Sequence, residues 1–167
     1  MIQPLIEKME AVGFSQLGFM VDKQPLWGKG TRELVLASKV DKAFASAGFR
    51  GNKPSYFFYT AFTGGQMVIT AYNSFRYFRS DDLVTEVVST EDLGEMLQTH
   101  KKQVDEFINK GYTPFTDFSR ESAIKATDLY YRSPAPLRQL RIAGAINLGF
   151  LLLCVLVFGL AVWGAVT

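Results

Sequence analysis

Residues 142–166, IAGAINLGFLLLCVLVFGLAVWGAV, contain no charged side chain and are followed only by Thr167. A run of 25 residues at ~1.5 Å rise each makes a helix of roughly 37 Å, which crosses a ~30 Å hydrocarbon core with some tilt. A buried helix of a water-soluble protein seldom stays charge-free over such a length. The run therefore predicts one transmembrane helix over 142–166, and the rest of the chain is read around it.

Charge on the two sides of the run differs. Arg132, Arg138 and Arg141 precede it, and only the terminal carboxylate follows. By the positive-inside rule the amino-terminal part belongs on the cytoplasmic side, with a bacterial inner membrane as the expected host. Tyr130 and Tyr131 suit the near interface and Trp163 the far one. Ser133-Pro134-Ala135-Pro136 breaks any helix that reaches it, so residues 134–141 read as a stiff Pro/Arg juxtamembrane linker. The opening MIQPLIEKMEAVGF carries Glu7, Lys8 and Glu10 where a secretory signal needs an apolar core. A tail-anchored topology is the expectation. Within the run, Ala145 with Gly149 and Ala161 with Ala165 space small residues four apart, as close helix packing in lipid requires. Asn147 adds an amide that prefers an interhelical partner or the headgroup zone.

Residues 1–133 are long enough for one domain with a core of its own. The sole cysteine, Cys154, lies in the hydrophobic run, so no disulfide within the chain is possible. A formal net charge of +2 is too small to point to nucleic acid.

Periodicity predicts an α+β fold for this domain. Leu5, Ile6, Met9 and Val12 form one helical stripe over residues 2–12, ended by Gly13. Residues 14–21 read as a strand and 25–30 as a loop. Residues 31–49 fit a helix (Leu36, Val40, Phe44 and Ala47 on one face) or strands. The Gly51-Asn52 pair favours a hairpin and a strand over about 42–50. SYFFYTAFT (55–63) and QMVITAYN (66–73) flank Gly64-Gly65, a hairpin signal because glycine supplies the positive φ of tight turns. DLVTEVVS (82–89) adds a strand. The expected sheet is a small antiparallel meander of three to five strands. Two flanking helices follow: one capped by Ser89 or Thr90, with the stripe Leu93, Met96, Leu97, Val104, Phe107 and Ile108, and one over 117–132.

Chemistry is sparse. His100, the only histidine, lies within that apolar stripe and reads as a satisfied, partly buried structural residue, with ligand or general base as the sharper alternative. A zinc site would need partners that the domain lacks. WGKGT (27–31) lacks phosphate-loop spacing. YNSFRYFR (72–79) reads as an amphipathic strand or a protein- or lipid-facing edge rather than a base-stacking platform. Asp81, Asp82, Glu86, Glu91, Asp92 and Glu95 coincide with turns and caps. No G-x-S-x-G elbow occurs.

The expected function is therefore non-enzymatic, with no cofactor and no metal. The chain reads as an accessory or structural subunit of a larger membrane complex, its partners the lipid bilayer and other integral membrane subunits, and not nucleic acid. A membrane-tethered module for a small ligand or lipid, using the sheet face at Phe57, Phe58 or Tyr59 and His100, is the alternative; a tethered hydrolase or transferase is the third.

Overall fold

The computed structural model describes residues 2–22, 31–50, 52–72, 78–133, 148–150 and 154. The chain divides into two compact units, Met1–Ser133 and Pro134–Thr167. In the first, helix α1 (Gln3–Ala11) is followed by strands β1 (Ser15–Asp22), β2 (Thr31–Ser38), β3 (Ala43–Arg50), β4 (Lys53–Ala61), β5 (Met67–Tyr72), β6 (Phe78–Arg79) and β7 (Leu83–Val88). Helices α2 (Leu93–Asn109) and α3 (Arg120–Arg132) complete it. The fold is α+β, as the periodicity indicates.

The sheet is mixed, not an antiparallel meander, and larger than expected: its strand order is β1-β2-β3-β4-β5-β7-β6. β1 to β5 do form an antiparallel meander. The change comes after Tyr72. Phe78 and Arg79 pair as β6 on the outer side of β7, and a Ser80 turn sends the chain back between β5 and β6. In that turn the Ser80 amide donates to Leu83 O at 2.8 Å, and the Leu83 amide donates to Ser80 Oγ at 3.1 Å. β7 consequently runs parallel to β5, from Met67↔Leu83 to Tyr72↔Val88. A hairpin-by-hairpin reading cannot foresee this, because β7 has the same local pattern in either direction.

Residues 31–49 are two strands and not a helix. β2 and β3 pair from Leu34↔Ala47 to Ser38↔Ala43. The hairpin expected at Gly51-Asn52 is present, with Arg50↔Lys53 as its last pair. The Gly64-Gly65 connection is wider than a two-residue turn: Gly65 N donates to Phe62 O at 3.0 Å and Phe62 N to Gln66 O at 2.9 Å. Gly65 takes φ +91°, the left-handed position that closes three-residue hairpin loops.

Alternation along the strands sets two faces. One carries Leu34, Leu36, Ala43, Ala45, Ala47, Tyr56 and Phe58, and clusters with Leu5, Ile6 and Met9 of α1 and with Leu93, Met96 and Leu97 of α2. The three alanines of β3 leave room for Phe58, which is fully buried and stacks on Phe14 with centroids 5.1 Å apart. Burying a phenylalanine this completely contributes roughly 2–3 kcal/mol. Further along, Val104 and Phe107 of α2 close over Phe62, Val68 and Val84. On the opposite face Phe44 meets Tyr59 and Phe118, and Ala123 and Ala126 of α3 are fully buried.

The helix starts differ by a few residues from expectation. Asp92, not Ser89 or Thr90, caps α2: its carboxylate accepts the Glu95 amide at 3.0 Å, while Thr90 Oγ1 accepts the Asp92 amide. α3 begins at Arg120 because Ser119 caps it, accepting the Ser122 amide at 3.3 Å. Asp117 precedes it as a turn residue, accepting from Ser119 and Ser122, bonds that hold its carboxyl below the usual range.

Lys42, in the β2–β3 connection, sits at φ +53°, the one non-glycine residue with positive φ among the described residues. The left-handed region costs an ordinary side chain about 1–2 kcal/mol, partly offset by the extra chain entropy glycine would lose on folding. Lys42→Gly is expected to raise the unfolding free energy by about 0.5–1 kcal/mol, read as a rise of a few degrees in melting temperature. An unchanged or lower value would show that the turn has no strain to relieve.

Candidate functional site

The interior polar group with the best-defined geometry is His100, on the sheet-facing side of α2. It is 0% exposed, so it is wholly rather than partly buried. Thr60 of β4 and Thr70 of β5 lie diagonally across that sheet pair, since Phe58 is opposite Thr70 and Thr60 opposite Val68. Their hydroxyls meet the two ring nitrogens: Thr60 Oγ1 is 2.9 Å from Nε2 and Thr70 Oγ1 is 3.1 Å from Nδ1.

The tautomer follows from the network. Thr60 donates its hydroxyl proton to Lys42 O at 2.8 Å, so toward the ring it accepts. Nε2 then carries the proton and Nδ1 accepts from Thr70. Both nitrogens are engaged by threonine hydroxyls, so the ring would have to give up its bond from Thr70 before Nδ1 could bind a metal ion or take a proton. Burial pushes its pKa from 6.5 down to about 3, against the opposing pull of the Asp41 carboxylate.

Asp41 belongs to the same assembly. Its side chain is 8% exposed; it accepts from Ser38 Oγ at 2.6 Å and pairs with Lys101 Nζ at 2.5 Å. The β2–β3 turn, the Lys42 carbonyl, β4, β5 and α2 are thereby joined by one polar network through an apolar layer. The bonds tie α2 to the β4–β5 pair and to the β2–β3 turn.

None of these partners was apparent from the sequence. Thr60 and Thr70 are 40 and 30 residues from His100. The usable signal is a threonine at an inward position of each β-rich run, since a buried hydroxyl needs a partner.

The other sequence-derived candidates scatter. Phe58 is a filled core position, Tyr59 is nearly as buried, and Phe57 is half-buried beside Tyr59. Burial and the Glu33 charge push the Tyr59 hydroxyl well above its usual pKa. Of the acidic residues, Asp92 is a cap, Glu86 accepts from Gln103 Nε2 at 2.8 Å, and Glu91 accepts from the Tyr72 hydroxyl, while its backbone oxygen accepts from Tyr56. Burial and that neighbouring carboxylate raise Tyr56 to about 12. Among the described residues no cluster of three histidine, cysteine, aspartate or glutamate side chains could hold a metal ion.

Tyr130 and Tyr131 are half-buried at the end of α3, their rings edge to face at 5.3 Å, and Arg132 is exposed beside them. In the second unit, residues 148–150 and 154 are helical. Leu148 is 57% and Phe150 68% exposed, and a Cβ at Gly149 would meet no described atom within 4 Å. Arg138, Arg141, Ala145, Asn147, Trp163 and the 25–30 loop lie outside the described residues, as does nearly all of 142–166. No helix among the described residues is long and apolar enough to cross a membrane.

Comparison of the chain with protein-family models, with curated proteins and with solved structures returned no match.

Proposed function

We propose that this protein is a non-enzymatic, single-pass membrane protein whose α+β domain lies on the cytoplasmic face and serves as an accessory or structural subunit of a larger membrane complex. The observation that carries the reading is the charge-free run 142–166 with Arg132, Arg138 and Arg141 on one side of it. The exposure of Leu148 and Phe150 supports it, because large apolar side chains on a helix surface are unfavourable in water and neutral in lipid. The His100 network supports the non-enzymatic part: the domain's sole imidazole is spent on holding the fold.

The mechanism is tethering. A membrane span confines the domain near its partner, which raises the effective concentration of a modest contact without adding interactions to it. The contact surface in this reading is β1. It is an edge strand that exposes Phe19 (37%) and Val21 (56%), and edge strands are ready templates for pairing. Purification of the full chain from its native membrane in mild detergent is expected to return a stoichiometric co-migrating integral membrane protein, and charged substitutions at Phe19 and Val21 are expected to weaken that association. Recovery of the free chain alone would overturn the reading.

A further inference from the structure

The sheet ends on two unlike edges. β6 is two residues long, whereas β1 has eight and no strand on its outer side. Within β1 the register shifts between Gln16 and Gly18, and from Gly18↔Val35 to Asp22↔Thr31 the pairs run without a break. A bulge bends the strand that carries it, so Gly18–Asp22 is the regular stretch that another strand can join.

One acceptor in that stretch is held by a donor that belongs to no strand. The Phe19 carbonyl accepts from Arg120 Nη2 at 3.2 Å. Arg120 opens α3, on the face where Phe118 meets Phe44, and it forms no ion pair among the described residues. The nearby Asp117 carboxylate is turned instead to Ser119 and Ser122. The other face of the stretch is apolar. Phe19 lies opposite Leu34, a member of the core beneath α1 and α2, so Phe19 and Val21 project on that side. Both are exposed, and Arg32 places its guanidinium 4.1 Å from the Phe19 ring centre.

We infer that Gly18–Asp22 pairs with an extended, acidic segment of a partner, one in which apolar residues alternate with glutamate or aspartate. Backbone pairing supplies the affinity and alternation the specificity. The apolar side chains rest on Phe19 and Val21, while the carboxylates face Arg120, which leaves the Phe19 carbonyl to an incoming backbone N–H. A second copy of this chain fits less well: it brings its own Arg32 and Arg120 to the junction, and its β1 has a single acidic residue, Asp22. The inference rests on the accessory-subunit reading, whose contact surface is β1, and names the chemistry of the partner. So short a strand binds weakly, which suits a domain that a membrane span holds close to its partner.

The test is titration of the 15N-labelled full chain in mild detergent at low salt with acetyl-Val-Glu-Val-Glu-Val-amide, followed by amide chemical shifts, with acetyl-Val-Lys-Val-Lys-Val-amide as the control. The glutamate peptide is expected to bind in the millimolar range and to shift the amides of residues 18–22, and the lysine peptide to bind at least about five-fold more weakly. Arg120→Glu puts an acidic residue in the first turn of α3, where a helix favours one, and is expected to invert that preference. Absence of shifts in residues 18–22, equal binding of the two peptides, or an unchanged preference in Arg120→Glu would each overturn the inference. So would shifts there that grow with protein concentration alone, which would give the edge to a second copy. Co-migration of a membrane partner without glutamate-peptide binding would overturn the inference and leave the accessory-subunit reading intact. Glutamate-peptide binding by a chain that leaves its membrane alone would support the edge pairing and overturn that reading.

Discussion

Placing arginine at both Leu152 and Leu156 is expected to release the chain from the membrane. The two positions are four residues apart near the centre of the charge-free run, so they share one helix face. Each arginine at the middle of a span costs about 2.5–3.5 kcal/mol on insertion scales, and the pair roughly 5–7 kcal/mol. That outweighs what the remaining leucines and valines of the segment can recover. In alkaline carbonate extraction the wild-type chain should stay with the membrane pellet and the double variant should move to the supernatant. Leu152→Ala with Leu156→Ala, which keeps the run apolar, should remain in the pellet. A wild-type chain extracted as readily as the double variant would show that 142–166 does not span.

The second large effect is expected at His100. Truncation to alanine removes a fully buried ring, leaves a cavity, and deprives Thr70 of the acceptor it donates to. Cavity and desolvated hydroxyl together should lower the unfolding free energy by about 3–5 kcal/mol near pH 7. The pH dependence identifies the cause. In the folded chain the imidazole resists protonation to about 3, whereas unfolded it titrates near 6.5. Below pH 6.5 the unfolded state therefore binds the extra proton, and the wild-type chain loses stability as pH falls, by up to about 1.4 kcal/mol per unit, until the folded form also protonates near pH 3. His100→Ala lacks this contribution. The gap between wild type and variant should be widest above pH 6.5 and narrow steadily toward pH 4, as measured by denaturant unfolding of the full chain in mild detergent. A gap independent of pH would mean that the imidazole titrates alike in the folded and unfolded chains and is not desolvated, and a gap that widened on acidification would mean that it is charged in the folded protein.

Where local chemistry decides an element, the sequence is a good guide. Leu5, Ile6 and Met9 mark the buried face of α1, and Gly13, at φ +93°, stands at the stop predicted for it. The apolar stripe of α2 matches its buried face from Leu93 to Phe107. The hairpin at Gly51-Asn52 lies where its turn residues place it, because short turns are specified by two or three adjacent residues. The cap of α2 lies two or three positions beyond Ser89 or Thr90, at Asp92, and α3 starts three residues after Asp117, since several residues near each start are chemically able to cap and the choice depends on where the chain docks.

The sequence by itself determined the charge-free run and the basic residues before it, the α+β class, and the isolation of a single histidine in an apolar stripe. These follow from composition and period, which need no knowledge of neighbours. Only the tertiary structure decided the parallel pairing of β7 with β5, the seating of His100 between Thr60 and Thr70, and the meeting of Arg120 with the Phe19 carbonyl at the sheet edge. Each of these joins residues from separate elements. Strand direction and side-chain partnership are properties of the packed sheet: a strand's alternation is the same whichever way it runs, and a threonine carries no local mark of the residue, 30 or 40 positions away, that will satisfy it.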